Sequence, residues 1–145
     1  MPPRLSQEVR TWLYFHRVMA AISQRLNAQL ATYSLTPAQF DVLAQLFRTP
    51  GLVQQALADR LLVSKGNIVG LLNRMEQAGL VTRQPHPEDG RAHLVSLTAH
   101  GTTLATQVVP EHEALIAECL AVLSPEDGHN LHDLLRRFKH ALRTA

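Results

Sequence analysis

Residues 55–75 read QALADRLLVSKGNIVGLLNRM. Leu57 and Leu61 are one helical turn apart, which places both on the inner face of a first short helix. A second helix carries apolar residues at the helical spacing i, i+3, i+4 and i+7, namely Ile68, Leu71, Leu72 and Met75. Ala58 is small enough to let the two helices cross closely. The stretch therefore predicts two short helices packed across a turn, a helix-turn-helix.

The other face of the second helix is polar and carries residues typical of DNA recognition. Asparagine can pair with adenine edges, and lysine or arginine can reach guanine or phosphate. Gly66 and Gly70 each cost about 1 kcal/mol relative to alanine within a helix, which makes sense where a ligand approaches the backbone closely. The predicted DNA-binding residues here are Ser64, which can also cap the helix, Lys65, Gly66, Asn67, Gly70, Asn73 and Arg74. The alternative is a buried helix pair with a solvated polar face.

A β-hairpin is predicted directly after this helix. Residues 80–84 and 92–97 show part of the alternation of apolar and polar residues that is typical of strands. The intervening PHPEDGR is rich in residues that favour turns. Arg91 near the tip suits a narrow, negative minor groove and is the predicted wing contact. Asp89 could support the wing by holding the Arg91 side chain. The alternative is a surface pair that stabilises the turn and contributes little energy.

Long helical patterns flank this centre on both sides. Residues 5–33 repeat apolar positions every three or four residues, and Thr36-Pro37-Ala38-Gln39 is a capping box that starts the next helix. Thr98 begins a helix that contains Pro110, and Ser124 caps the last helix. The expected fold is mainly α with a small β-hairpin wing. Residues 36–97 are predicted to form a winged helix-turn-helix DNA-binding domain, and residues 5–33 and 98–145 a helical dimerisation region.

The ordered set of motifs resembles the MarR family of multiple-antibiotic-resistance-type regulators. The similar segments are LTPAQF (35–40), LADRL (57–61), VSK (63–65), LNRMEQAGLV (72–81), DGR (89–91), LTAHG (97–101) and LSPE (123–126). The resemblance implies a homodimer joined through the first and the last two helices. It places the recognition helix in the major groove and the wing arginine in the minor groove, with repression relieved by a small ligand or by oxidation. Leu62 departs from the glycine usual in such turns, and a left-handed leucine would cost about 1–2 kcal/mol unless the turn is shaped differently.

Composition is compatible with this interpretation. The chain carries a net charge of +2, and its charged fraction of 18% leaves apolar helix surface to bury, for which a second copy is one candidate partner. One cysteine excludes an intrachain disulfide framework. The start resembles no signal peptide, and no apolar run reaches the ~18 residues of a membrane span. A cytoplasmic location with no membrane partner is expected.

A small-molecule pocket is a further expectation from the resemblance. Similar regulators bind an aromatic acid or phenol between the dimer lobe and the DNA lobe. The candidate lining residues are Trp12, His16, Arg17, Met19, Tyr33 and Phe40. His16 or Arg17 could pair with a carboxylate. Plain core packing of these side chains is the alternative.

No pattern in the chain indicates catalysis, a cofactor or a structural metal. His129 and His132 are three apart on one helix, but Cys119 stands alone and no close Cys/His cluster exists. Some similar regulators sense peroxide through a first-helix cysteine, which this chain lacks. The sequence predicts a sequence-specific regulator that binds a pseudo-palindromic duplex DNA operator as a homodimer, a repressor released by a small aromatic or phenolic effector. The alternatives are a winged-helix protein-interaction module and a metal-responsive regulator.

Overall fold

The computed structural model describes residues 4–61 and 65–144. Within these ranges the chain forms six helices and three strands. In chain order they are α1 (Gln7–Ala31), α2 (Pro37–Arg48), β1 (Leu52–Val53), α3 (Gln54–Leu61), α4 (Lys65–Gln77), β2 (Val81–Pro85), β3 (His93–Leu97), α5 (Ala99–Leu120) and α6 (Pro125–Thr144). The predicted class, mainly α with a β-hairpin wing, is confirmed.

The helix starts follow from local capping chemistry. The Gln39 backbone N–H donates to Thr36 Oγ1 at 3.2 Å, and the Thr36 N–H donates back to Gln39 Oε1 at 3.0 Å. Pro37 occupies the first position of α2, where no backbone donor is needed. At the start of α6 the Asp127 N–H donates to Ser124 Oγ at 3.1 Å. Both caps satisfy orphan donors, so these helices begin where the sequence predicts.

The sheet contains a strand that the sequence pattern did not reveal. β3 pairs antiparallel with both β2 and β1, so the strand order is β1-β3-β2. Leu52 lies opposite Val95, and Val81 lies opposite Leu97. Two residues are too few to show a period-2 alternation, which is why β1 escaped detection. The hairpin of β2 and β3 is therefore hydrogen-bonded to β1, the short strand directly before α3.

The turn from α4 into β2 is packed tightly against the start of α5. Gly79 ends α4 with a φ of +72°, a left-handed conformation that favours glycine. Thr98 donates its N–H to the Leu80 carbonyl at 3.0 Å and its hydroxyl to the Gly79 carbonyl at 2.6 Å. A Cβ added at Gly101 would lie 2.0 Å from the Leu80 oxygen. This close approach connects the wing to α5.

The core lies beneath the helix-turn-helix. Leu57, Ile68, Leu72 and Met75 are almost completely buried, as their spacing predicts. They pack with Val42, Leu43 and Leu46 of α2 and with Val95 of β3 in one apolar cluster. The turn itself, including Leu62 and Val63, lies outside the described residues. The inner faces of α3 and α4 are thus committed to the core, and only their other faces are available to a partner.

The chain divides into two compact units, Met1–His112 and Glu113–Ala145. In the first unit, the N-terminal half of α1 exposes large apolar side chains, namely Val9, Trp12, Tyr14, Phe15, Val18 and Met19. In the second unit, α6 exposes Leu131, Leu134, Leu135, Phe138 and Leu142. The functional division into residues 36–97, and 5–33 with 98–145, stays a prediction. Among the helices described, none is long and apolar enough to cross a membrane.

Candidate nucleic-acid interface

The outward face of α4 carries most of the predicted DNA contacts. Gly66, Asn67, Asn73 and Arg74 are exposed, and Gly70 is half-buried between them. Ile68 and Leu72 on the opposite face are buried, so the helix cannot turn this polar face inward. Ser64 and the side chain of Lys65 lie outside the described residues. The arrangement leaves one helix side free to enter a groove.

The two glycines of this face are not required by packing within the described chain. A Cβ added at Gly66 would meet nothing within 4 Å. One added at Gly70 would meet Arg74 Nη1 at 3.6 Å, an ordinary van der Waals contact. Neither residue has a positive φ. Alanine would fit both positions against the described residues, so packing among those residues does not account for the glycines.

Arg83 of β2 connects the wing to α4. Its Nε donates to Glu76 Oε1 at 2.9 Å, and its Nη2 donates to Glu76 Oε2 at 2.9 Å. The same Nη2 donates to Asn73 Oδ1. Arg83 lowers the pKa of the Glu76 carboxyl by hydrogen bonding, and Glu76 raises the pKa of the guanidinium. Arg83 is not among the residues predicted from the sequence, because its pairing joins a strand to a helix and has no characteristic spacing.

The wing tip is held by backbone hydrogen bonds. The His86 N–H donates to the Ala92 carbonyl at 2.9 Å, and the Ala92 N–H donates to the Asp89 carbonyl at 3.0 Å. Asp89 Oδ1 accepts from the backbone N–H of Arg91 at 3.0 Å. Over the described ranges no ion pair joins Asp89 to the Arg91 guanidinium, so Asp89 orders the turn rather than the arginine side chain. Arg91 itself is exposed.

The six predicted pocket residues form two groups within one chain. Trp12, His16, Arg17 and Met19 are exposed on the N-terminal half of α1, with the Trp12 and His16 rings 6.2 Å apart. Tyr33 and Phe40 lie beyond the other end of that helix. A helix rises about 1.5 Å per residue, so Trp12 and Leu30 are about 27 Å apart along α1. One chain alone does not bring the six side chains together.

Tyr33 and Phe40 contact α5 instead. The Tyr33 hydroxyl donates to Glu111 Oε2 at 2.5 Å, a hydrogen bond that raises the pKa of the tyrosine. The Phe40 ring lies 4.0 Å from the His112 ring, and His112 Nδ1 is 2.9 Å from Gln29 Oε1. His112 is the buried polar residue of this region, at 7% exposure. No local sequence pattern indicates this packing of His112, because its partners Gln29 and Phe40 come from α1 and α2.

His129 and His132 lie three residues apart on α6. His129 Nδ1 lies 2.7 Å from the Pro125 carbonyl oxygen, one turn earlier in α6. Across residues 4–61 and 65–144, no group of three His, Cys, Asp or Glu side chains is placed to hold a metal ion. Cys119 is half-buried.

A two-helix motif with a buried inner face, a polar outer face and a following β-hairpin defines a winged helix-turn-helix protein. The MarR family model matches residues 33–92. The chain is 32% identical over 132 residues to an uncharacterized HTH-type transcriptional regulator of Bacillus cereus, covering 90% of this chain and 88% of that protein. AbsC, a MarR family transcriptional regulator from Streptomyces coelicolor, is 27% identical with a TM-score of 0.91 over 99% of each chain. The chain therefore belongs to the MarR family.

A further solved structure is informative about the interface. A mutant of MarR from E. coli, complexed with operator DNA, is 28% identical with a TM-score of 0.82, covering 94% of this chain and 99% of that one. As a member of this family the chain is a DNA-binding transcriptional regulator and not an enzyme. These relationships favour the regulator over the winged-helix protein-interaction module and the metal-responsive regulator.

Proposed function

We propose that this protein is a cytoplasmic repressor that binds a pseudo-palindromic duplex operator as a homodimer and releases it when a small aromatic or phenolic effector binds. The proposed DNA contacts are Ser64, Lys65, Gly66, Asn67, Gly70, Asn73 and Arg74 of the helix-turn-helix, and Arg91 of the wing. Asp89 supports the wing through the backbone of Arg91.

The observation that carries the proposal is the outer face of α4. It combines two glycines that packing among the described residues does not require with amide and guanidinium side chains, which are suited to hydrogen bonding with DNA. The exposed Arg91 follows on a hairpin that pairs with β1 and is therefore anchored to the same core. A helix and a wing held on one rigid support suit adjacent grooves of a duplex.

Homodimerisation is supported by the apolar surface that one chain leaves uncovered. Trp12 is 62% exposed on α1, and Phe138 and Leu142 are 64% and 77% exposed on α6. Contiguous apolar patches beyond a few hundred Å² are rare on soluble monomers. A two-fold pair would bury such surface and would present two recognition helices about one DNA turn apart.

The DNA test separates the roles of two residues on α4. Asn67 lies in the first turn, where recognition helices meet base edges, and Arg74 lies two turns later, where phosphate is the expected contact. We expect Asn67→Ala to relax sequence preference and Arg74→Ala to weaken binding to all sequences alike, with a smaller salt dependence.

The probe is a 30-bp duplex selected by the wild-type protein from a random library, with single-base variants of it, each titrated by fluorescence anisotropy over a salt series. Arg48→Ala at the end of α2 is a matched control, because it removes an exposed arginine outside both the proposed DNA contacts and the predicted dimerisation region. The opposite pattern for Asn67→Ala and Arg74→Ala would refute the assignment. Binding that does not weaken with salt would refute phosphate contact altogether.

The effector proposal is tested at each of the two groups of candidate residues. 4-Hydroxybenzoate combines a phenol and an aromatic acid and is a suitable probe in calorimetric titrations. His16→Ala changes the exposed α1 group, and Tyr33→Phe removes the hydroxyl that donates to Glu111. Loss of heat in one variant would locate the site, whereas full binding by both variants, or none by the wild type, would count against this class of ligand at these residues.

A further inference from the structure

The hydrogen bond between Arg83 and Asn73 determines which way the Asn73 amide faces. A guanidinium carries only donors, so the atom of Asn73 that meets Arg83 Nη2 has to be the carbonyl oxygen. The Nδ2 amino group, which is a donor, is then the end of the amide left over. Asn73 is exposed on the same face of α4 as Gly66, Asn67 and Gly70.

Arg83 is well placed to keep this orientation. Its guanidinium is held by two hydrogen bonds to Glu76, both 2.9 Å long, and its side chain is 18% exposed. A planar, two-point pairing of this kind fixes a guanidinium in direction as well as in distance. Because Arg83 extends from β2 and Asn73 from α4, the wing strand sets the chemistry of the recognition helix.

We propose that Arg83 is a positioning residue that makes Asn73 a hydrogen-bond donor toward DNA, so that Asn73 contacts an acceptor and not an adenine edge. This inference rests on the proposed function, since it requires α4 to meet DNA. Reading adenine takes a donor and an acceptor from the same amide. A second donor at the Asn73 oxygen, such as the adenine amino group, would lie beside the positively charged guanidinium. The acceptor is therefore a phosphate oxygen, guanine O6 or N7, or thymine O4.

A double-mutant cycle tests the coupling. Asn73→Ala, Arg83→Met and the double variant are titrated against the duplex that the wild-type protein selects from a random 30-bp library. We expect each single variant to lose about fivefold to tenfold in affinity, the net size of one ordinary hydrogen bond. We expect the double variant to lose no more than about twofold beyond either single variant, because both remove the same contact. Losses that multiply would overturn the inference.

Glu76→Gln and Arg83→Lys separate positioning from simple stabilisation. Glu76→Gln removes the charge of the ion pair, but its amide oxygen still accepts from Arg83 and keeps the guanidinium in place to donate to Asn73. Melting temperature should therefore fall while DNA affinity stays within about twofold. Arg83→Lys keeps a positive charge for Glu76 and should fold, but one ammonium cannot reproduce the forked contact to Glu76 and Asn73. Its affinity should match that of Arg83→Met. If Glu76→Gln lost as much DNA affinity as Arg83→Met, Arg83 would act only by stabilising the contact between β2 and α4, and the positioning role would be refuted.

Titrating the wild type and Asn73→Ala against single-base variants of the selected duplex identifies the acceptor that Asn73 contacts. An equal loss for Asn73→Ala on every duplex indicates phosphate, and a loss confined to duplexes with guanine at one position indicates the guanine edge; both support the inference. A loss confined to duplexes with an A·T pair at one position is resolved by replacing that adenine with purine, which lacks the amino group. A loss that persists indicates thymine O4 and supports the inference, and a loss that disappears indicates the adenine amino group and overturns it. If the wild-type protein enriches no duplex and shows no salt-dependent binding, the proposed function itself fails. If the wild-type protein binds DNA but the affinity losses of Asn73→Ala and Arg83→Met multiply in the double variant, only the role of Arg83 is refuted and the proposed function stands.

Discussion

Replacing both glycines of α4 by alanine is expected to stabilise the protein and to weaken its binding to DNA. Gly70 is in the helix interior, where alanine is favoured by about 1 kcal/mol, and Gly66 is in the first turn, where about half of that is expected. The nearest atom to either new Cβ would be Arg74 Nη1, 3.6 Å from position 70, so no clash reduces the gain. The sum is about 1.5 kcal/mol, or a rise of about 3–6 °C in melting temperature for a chain of this size.

The effect on DNA has the opposite sign. If the backbone at these positions lies against a groove wall, each added methyl group overpacks that contact and costs about 1–3 kcal/mol. Affinity should then fall about 5- to 150-fold for each substitution. The assay pairs a thermal melt of each variant with anisotropy titrations on the selected duplex. Gain in stability together with loss of binding cannot be explained by partial unfolding.

Gly128→Ala is the matched control. Gly128 is half-buried in the first turns of α6, and a Cβ added there would meet nothing within 4 Å. This variant should gain stability by a similar amount and bind DNA as the wild type does. If the Gly66→Ala, Gly70→Ala double variant were stabilised and bound DNA unchanged, the α4 backbone would not approach the duplex closely and our argument from the glycines would be wrong.

Gly101→Ala should lower the melting temperature, because its Cβ would lie 2.0 Å from the Leu80 carbonyl oxygen and the cost of such overpacking is about 3 kcal/mol; an unchanged melt would contradict the packing described. Replacing Leu135 and Phe138 by glutamate should convert the dimer to a less stable monomer that no longer binds the operator, as judged by sedimentation; a well-folded wild-type monomer at micromolar concentration would refute obligatory dimerisation. Because Arg83 lowers the pKa of Glu76 below 4.5, the ion pair contributes stability above that value and loses it as the pH falls through the lowered pKa. The free energies of unfolding of the wild type and Glu76→Gln should therefore become equal as the pH falls. Urea melts at a series of pH values measure this, and a difference that stays constant with pH would contradict the prediction.

Local chemistry explains why so much of the fold could be predicted. The apolar spacing of α4 identifies its buried face, and the Thr36 and Ser124 caps define helix starts, because each signal involves residues within one or two turns. Gly79 marks the end of α4 for the same reason, since only its own φ is needed. The polar face of α4 and the wing with Arg91 follow from these elements, although their contacts with DNA stay predictions.

The sequence by itself determined the helices, the hairpin, their order and the direction in which α4 faces, because periodicity and capping depend on neighbours in the chain. Only the tertiary structure decided which of these elements contact one another. β1 is too short to be recognised without its partner β3, and His112 becomes a buried packing residue only when α5 meets Phe40. Arg83 meets Asn73 and Glu76 only because the sheet returns beside α4. Contacts between segments that are distant in the chain depend on how the backbone folds back on itself, and no local sequence pattern specifies which segments meet.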